Sequence, residues 1–407
     1  MNSDMVDVAS TREQASPMLW TSLFVCMGIG PMFLYTLTAI SPLVIADLDL
    51  SPAEYGAIST VTFGAAALSA LLLGGPSNRS GARTVMVAVS VGSIAGLAVL
   101  ALAESYAVVV IAGVLSGVAQ ALSNPATNRM VAGLPVKQRG ALIGWKQSGV
   151  QAAQLVAGLA APLIAADAGW RWAVAAGIAL GLVGIVSALA TRAEAAPNQT
   201  PGRAGEATGP ITVARLTAYT FFIGFGLQAT NAHLPLFAHV DLGLGLRPAG
   251  LIAALVGLVG LLSRIWWGRR ADTDSRQAST LLTLAVGAAL GVMLVMASTL
   301  LGSWLVWVGA AVFGAAALAS NAVTMVVLIR TVPITSLGTA TAFLATGMYV
   351  GFGSGPLAFG LTLDLGAGFG VAWLVPLTAF VAAALISLPP TFPTASPLLK
   401  GNLHAHP

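Results

Sequence analysis

Gln147, Gln151 and Gln154 recur at four- and three-residue spacing inside a long apolar run, so they share one face of a helix. Asn124 and Asn128 share a face in another such run, and Tyr35, Gln120, Gln228, Asn231, Asn321 and Tyr349 stand in further ones. Lys146 adds a cation beside Gln147. In hydrocarbon these groups are costly, and they mark either interhelical hydrogen bonds or a solute pathway. For one Asn or Gln the interhelical bond is the ordinary role, but the set together points to a wet cavity. No carboxylate belongs to it: every Asp and Glu falls in a polar segment or at the end of an apolar run. That argues against an embedded acid relay for protons or sodium ions. Other chemistry drops out early. No HExxH, CxxC, P-loop or GxSxG constellation stands in the right context, so neither an enzyme nor a cofactor is expected. The single cysteine, Cys26, can build no disulfide, zinc site or redox pair within the chain and reads as a small core side chain. Of the four histidines only His233 lies inside an apolar run, near its end, where an interfacial position is expected.

The elements that must position these residues follow from composition. Only 8% of the 407 residues are charged and 57% are apolar, where soluble domains carry about 25% charge. A soluble fold could not cover its surface so sparsely, so the lipid bilayer is the partner. Twelve apolar stretches are long enough to cross it, at residues 19–45, 55–73, 84–103, 106–130, 141–165, 171–190, 214–238, 248–267, 279–301, 304–329, 339–361 and 370–389. Asp4, Asp7 and Glu13 precede the first, which is too long and lacks the basic flank of a signal peptide, so it is expected to remain. Period-two patterns are absent, which leaves an all-α membrane protein of twelve transmembrane helices. At about 1.5 Å per residue, Tyr35, Gln120, Gln151, Gln228 and Tyr349 then fall near mid-membrane.

The net charge of +4 comes from 18 basic and 14 acidic residues. Its placement matters more than its sum, and nucleic acid is not an expected partner. With the N-terminus in the cytoplasm, sixteen of the eighteen basic residues fall in cytoplasmic segments or helix ends, and only Arg171 and Arg247 fall outside. Asp47, Asp49, Glu54, Glu104, Asp167, Asp241 and Asp364 lie at the outer face. An even span count also returns the C-terminus to the cytoplasm. Residues 191–210 are rich in Pro, Gly, Ala and Thr and read as a flexible cytoplasmic linker. The expected organisation is a six-helix half over residues 1–190, a linker over 191–213, and a second six-helix half with a cytoplasmic tail over 214–407.

The halves repeat each other at an offset of about 194 to 198 residues. Leu50-Ser51-Pro52-Ala53 returns as Leu246-Arg247-Pro248-Ala249, Ser123-Asn124 as Ser320-Asn321, and Ser148-Gly149 as Thr346-Gly347. Duplicated helical halves imply alternating access around a site where they meet. The loop after span 2 carries Gly74, Asn78, Arg79, Gly81 and Arg83, and the loop after span 8 carries Gly268, Asp272 and Arg276. Both resemble the G-x-x-x-D-R-x-G-R loop of the major facilitator superfamily, and the resemblance extends over nearly the whole chain. It implies loops that gate the inward-closed state by pairing with helix ends, and cavity-lining roles for spans 1, 4, 7 and 10. Asn78 stands where the pattern has an acid, so the first latch is expected to be weaker. Gly158 to Pro162 and Gly351 to Pro356 resemble the bending segments of that family, where close packing is the simpler role.

Lys146 is the sharpest residue, about six residues or roughly 9 Å into span 5. It either snorkels to the cytoplasmic surface or offers a cation to an anionic substrate, with Arg129 as a second. Arg264 resembles the arginine that precedes the second loop, which implies structural work. The expected activity is secondary transport of a small solute across the plasma membrane, with a small organic anion favoured because the cavity has cations and no acids. The candidate substrate residues are Tyr35, Gln120, Asn124, Lys146, Gln151, Gln228, Asn231, Asn321 and Tyr349. The rivals are an exporter of neutral or lipophilic compounds and, from another class, a non-transporting receptor or scaffold. A proton is a candidate coupling ion, no metal is expected, and a monomer is expected.

Overall fold

A computed structural model gives the arrangement of residues 16–132, 134, 136–191, 210–273, 277–332 and 334–388; at 74–79, 136–137, 140, 210–212, 268–269, 271–273, 277–278, 330 and 334–335 it gives the backbone alone. Among the described residues fifteen helices follow one another: α1 (Pro17–Ala39), α2 (Ser41–Asp47), α3 (Pro52–Arg79), α4 (Ala82–Ala101), α5 (Tyr106–Ala132), α6 (Val136–Ala168), α7 (Trp170–Ala176), α8 (Ile178–Ala190), α9 (Pro210–Val240), α10 (Leu246–Thr273), α11 (Gln277–Leu301), α12 (Trp304–Thr331), α13 (Ile334–Asp364), α14 (Gly368–Ala372) and α15 (Leu374–Ser387). They form twelve spans, because α1 with α2, α7 with α8, and α14 with α15 are single crossings broken at Ile40, Gly177 and Trp373. Ten spans are long and apolar enough to cross a membrane by composition alone. The other two, α9 and α13, have 31 residues each and the length to cross. Gln228, Asn231 and His233 dilute the apolar character of α9, and the Gly and Thr residues of α13 do the same there.

Helix starts are written in the sequence. Ser16 Oγ accepts from the Leu19 N–H at 3.3 Å, with Pro17 at the first helical position. Ser51 and Glu54 form a reciprocal capping box ahead of Pro52, at 3.1 and 2.9 Å. On the face where the linker joins spans 6 and 7, arginines close the carbonyl ends of spans 4 and 12. Arg139 donates to Ala132 O and Leu134 O at 2.9 and 2.8 Å, and Arg215 donates to Ile386 O and Leu388 O. Basic groups at helix C-termini also complement the helix dipole. We call this the linker face, and the opposite one the acidic face.

One apolar cluster, including Leu23, Phe33 and Ile58, belongs almost entirely to spans 1–6; a second, including Tyr219, Phe313 and Trp373, belongs to spans 7–12. The two sets meet along two seams, span 2 with span 11 and span 5 with span 8. Small residues let the backbones touch. A side chain at Gly360 would overlap the Pro52 carbonyl, and one at Gly250 would overlap Pro162. Both contacts sit toward the acidic face, where polar bonds continue the seal. Asp364 accepts from Ala53 N at 3.2 Å, Arg247 pairs with Asp167 at 3.1 Å, and Tyr55 donates to Ala232 O at 2.8 Å. Arg171, also at that face, pairs with Asp47 at 2.9 Å.

Candidate functional site

Between the seams, near mid-membrane, lies a cavity of about 130 Å³. Eight of the nine residues expected to meet a solute line it: Tyr35, Gln120, Asn124, Gln151, Gln228, Asn231, Asn321 and Tyr349. The repeat explains part of this, since Asn124 and Asn321 occupy matching positions of spans 4 and 10. Two cross-half hydrogen bonds bracket the space. Gln154 Nε2 donates to Asn231 Oδ1 at 2.7 Å, and Thr60 donates to Gly353 O at 2.7 Å. An aromatic wall crosses the span 2–span 11 seam, with Phe63 5.0 Å from Phe352 and 6.0 Å from Tyr349 between ring centres. Among the described residues that line the cavity there is no Asp or Glu.

Lys146 does not line it. Its side chain is 1% exposed, so it neither snorkels to the surface nor faces the cavity. Nζ donates to Asn128 Oδ1 at 2.6 Å, Thr127 Oγ1 at 2.9 Å and Asn124 Oδ1 at 3.3 Å. Three donors therefore meet three neutral acceptors on span 4, and no carboxylate takes part. Arg129 is turned away as well, donating to Ser80 O at 3.0 Å.

The cation that does line the cavity is Arg264 of span 8, which the sequence associates with the loop that follows it. Its Nη1 donates across the seam to Gln147 O at 3.4 Å and its Nη2 to Leu318 O at 3.3 Å, both long bonds, while Nε is buried without a hydrogen-bond partner. A guanidinium has five N–H donors, so this one retains most of its capacity. The sequence does hold a signal for its orientation. Gly250 packs on Pro162 and Gly158, Gly257 packs on Leu155 and Gln151, and Arg264 bonds to Gln147. Positions 250, 257 and 264 repeat every seven residues and all face span 5.

His233 departs from its expected interfacial position. It is fully buried, stacked on Phe359 with ring centres 4.2 Å apart and edge-on to Tyr55 at 5.4 Å, because spans 2 and 11 close over it at the seam. Cys26 is buried too. Of the loop residues, Gly81 precedes the first residue of α4 and Arg83 is half-buried in its first turn. The surroundings of Gly74 and Gly268, the side chains of Asn78, Arg79 and Asp272, and the whole of Arg276 lie outside what is described.

The family model of the Major Facilitator Superfamily matches residues 23–318. The chain belongs to the Major Facilitator Superfamily. No curated protein matches the sequence significantly. Solved structures extend the fold of this superfamily member over almost its full length. A bacterial homologue of the human lysosomal transporter Spinster, inward-facing and occupied, superposes with a TM-score of 0.69 at 18% identity, covering 92% of this chain and 95% of that one. A D-xylose–proton symporter gives 0.70 at 17%, covering 91% and 95%. The human organic anion transporter MFSD10 gives 0.67 at 14%, covering 92% and 100%. The protein is thus a multi-pass membrane protein with the transporter fold of its superfamily.

Proposed function

We propose that this protein is a secondary transporter that carries a small organic anion across the plasma membrane by alternating access. The observation that carries the reading is Arg264, a cation with unused donors on the wall of a midplane cavity lined by amides and lacking carboxylates. Outside water, a guanidinium pairs best with a carboxylate or a similar oxyanion. A cavity of about 130 Å³ suits a solute of a few heavy atoms. The organic anion transporter among the structural neighbours is compatible with this and, at 14% identity, adds only the fold.

The linker face is the cytoplasmic one in this reading, on the strength of the basic residues gathered there. The seams close on the acidic face, so the conformation is inward-facing, and the two six-helix halves rock about the cavity to open the other side. With no carboxylate in the cavity, movement is facilitated, by exchange, or by symport in which the charge of the substrate takes part.

The test is uptake into proteoliposomes of a panel of small monocarboxylates, each paired with its neutral amide. The expected result is transport of at least one acid, no transport of its amide, and loss of transport in Arg264→Gln. Equal transport of acid and amide would move the assignment to neutral solutes, and binding without transport would favour a receptor.

A further inference from the structure

The ammonium of Lys146 can only donate, and its acceptors are amides that could otherwise face either way. Asn124 and Asn128 must therefore turn their oxygens toward it, since the reversed amide would set NH₂ against NH₃⁺. Thr127 is fixed as well: its hydroxyl accepts from Nζ at 2.9 Å and donates its own proton to Ser123 O at 2.7 Å. The second lone pair of Asn124 Oδ1 takes Gln147 Nε2 at 3.2 Å. Asn124 alone among the three acceptors lines the cavity, and with its oxygen taken twice it has only the Nδ2–H₂ group to offer there. The amide pair on the far wall lacks this constraint. Gln154 and Asn231 bond each other at 2.7 Å, and turning both amides over would preserve the bond.

We propose that Asn124 is an anion-binding donor of the cavity and that Lys146 is its positioning residue, acting on the solute through that amide rather than by contact. The inference rests on the anion reading above. Lys146 is buried, is bonded through all three of its hydrogens and lies behind Asn124 as seen from the cavity. Its charge polarises the amide it holds, and donors in such chains strengthen one another. The titratable group coupled to it is Cys26 on span 1; of the other cations on the neighbouring elements, Arg129 of span 4 donates to Ser80 O and Arg264 of span 8 to Gln147 O, and none of the three is a carboxylate.

The test is a double-mutant cycle on purified full-length protein, reading equilibrium binding of acetate, benzoate, nitrate and thiocyanate and following the tightest. Lys146→Gln and Asn124→Ala should each weaken binding by about tenfold. The double variant should be no worse than the weaker single one, because both remove the same oriented donor. Lys146→Arg, still donor-only, should recover most of the affinity. Asn124→Asp keeps a partner for the lysine and so guards against misfolding, but it faces the cavity with oxygen and should weaken the anion more than Asn124→Ala does. Multiplying losses in the double variant would mean that Lys146 touches the anion itself, and unchanged binding in Asn124→Asp would remove Asn124 from the site; either overturns the proposal while Arg264→Gln still weakens binding. If the parent binds none of the four anions, the anion reading itself falls.

Discussion

Lys146 and Arg264 are both cations inside the bundle, and the fold treats them in opposite ways. Lys146 has as many neutral oxygens around it as it has protons to donate. Arg264 has two long bonds to carbonyls and a buried Nε without a partner. Depth in the membrane does not separate them; the partners do. A buried charge that is fully hydrogen-bonded does structural and orienting work, whereas an under-bonded one on a cavity wall holds capacity for a ligand.

The largest contrast should appear in binding. Arg264→Met removes the anchor and should weaken anion binding by about a hundredfold, as expected for truncating one partner of a buried charge pair. Lys146→Met should cost only about tenfold, through Asn124. Equal losses in a titration of the same anion would erase the distinction. Placing acids beside the two cations should sharpen it. Asn321→Asp puts a carboxylate in the cavity with Arg264 and should reduce anion affinity by about tenfold or more through like-charge repulsion and occupation of the guanidinium. Asn128→Asp gives Lys146 a counter-ion at an exposed position and should change affinity by less than about threefold, since the lysine still donates to Asn124.

Stability should run the other way. Lys146→Met leaves Thr127 Oγ1 without its buried donor and Asn124 Oδ1 with Gln147 alone, and should destabilise the fold by about 1–3 kcal/mol. Arg264→Met relieves an under-bonded charge and should leave thermal stability equal or higher, the usual trade between a binding site and its stability. Melting curves of the two variants in one detergent check the sign. The smallest effect is expected for Arg247→Ala at the acidic face. Its pair with Asp167 is 54% and 76% exposed, and such pairs contribute less than about 1 kcal/mol. Removing it should change anion affinity little, which sets the baseline for charges that water already serves.

Much of this was legible in the sequence because lipid enforces it. A run of apolar residues must be helical, and polar groups inside such runs must meet each other or water, so Tyr35, Gln120, Gln151, Gln228 and Tyr349 could be placed by depth alone. Direction around the helix axis was harder. Lys146 sits at cavity depth but points at span 4, and nothing in its own stretch shows that Thr127 and Asn128 await it there. Arg264 lies four residues before Gly268, so its likeness to the arginine that precedes the second loop hid the seven-residue spacing that turns it toward span 5. His233 reads as a helix-end residue until Phe359, far along the chain, covers it. The polar character that makes α9 and α13 weak as apolar segments follows from the same cause, because both help to wall the cavity.

The central claim is that Arg264 recognises charge. The most direct measurement is the ratio of dissociation constants for one carboxylate and its isosteric amide, in the parent and in Arg264→Gln. The parent should prefer the acid by about tenfold or more, and the variant should show a ratio near one, through loss of affinity for the acid alone. An unchanged preference in the variant would contradict the assignment of Arg264 as the anion anchor.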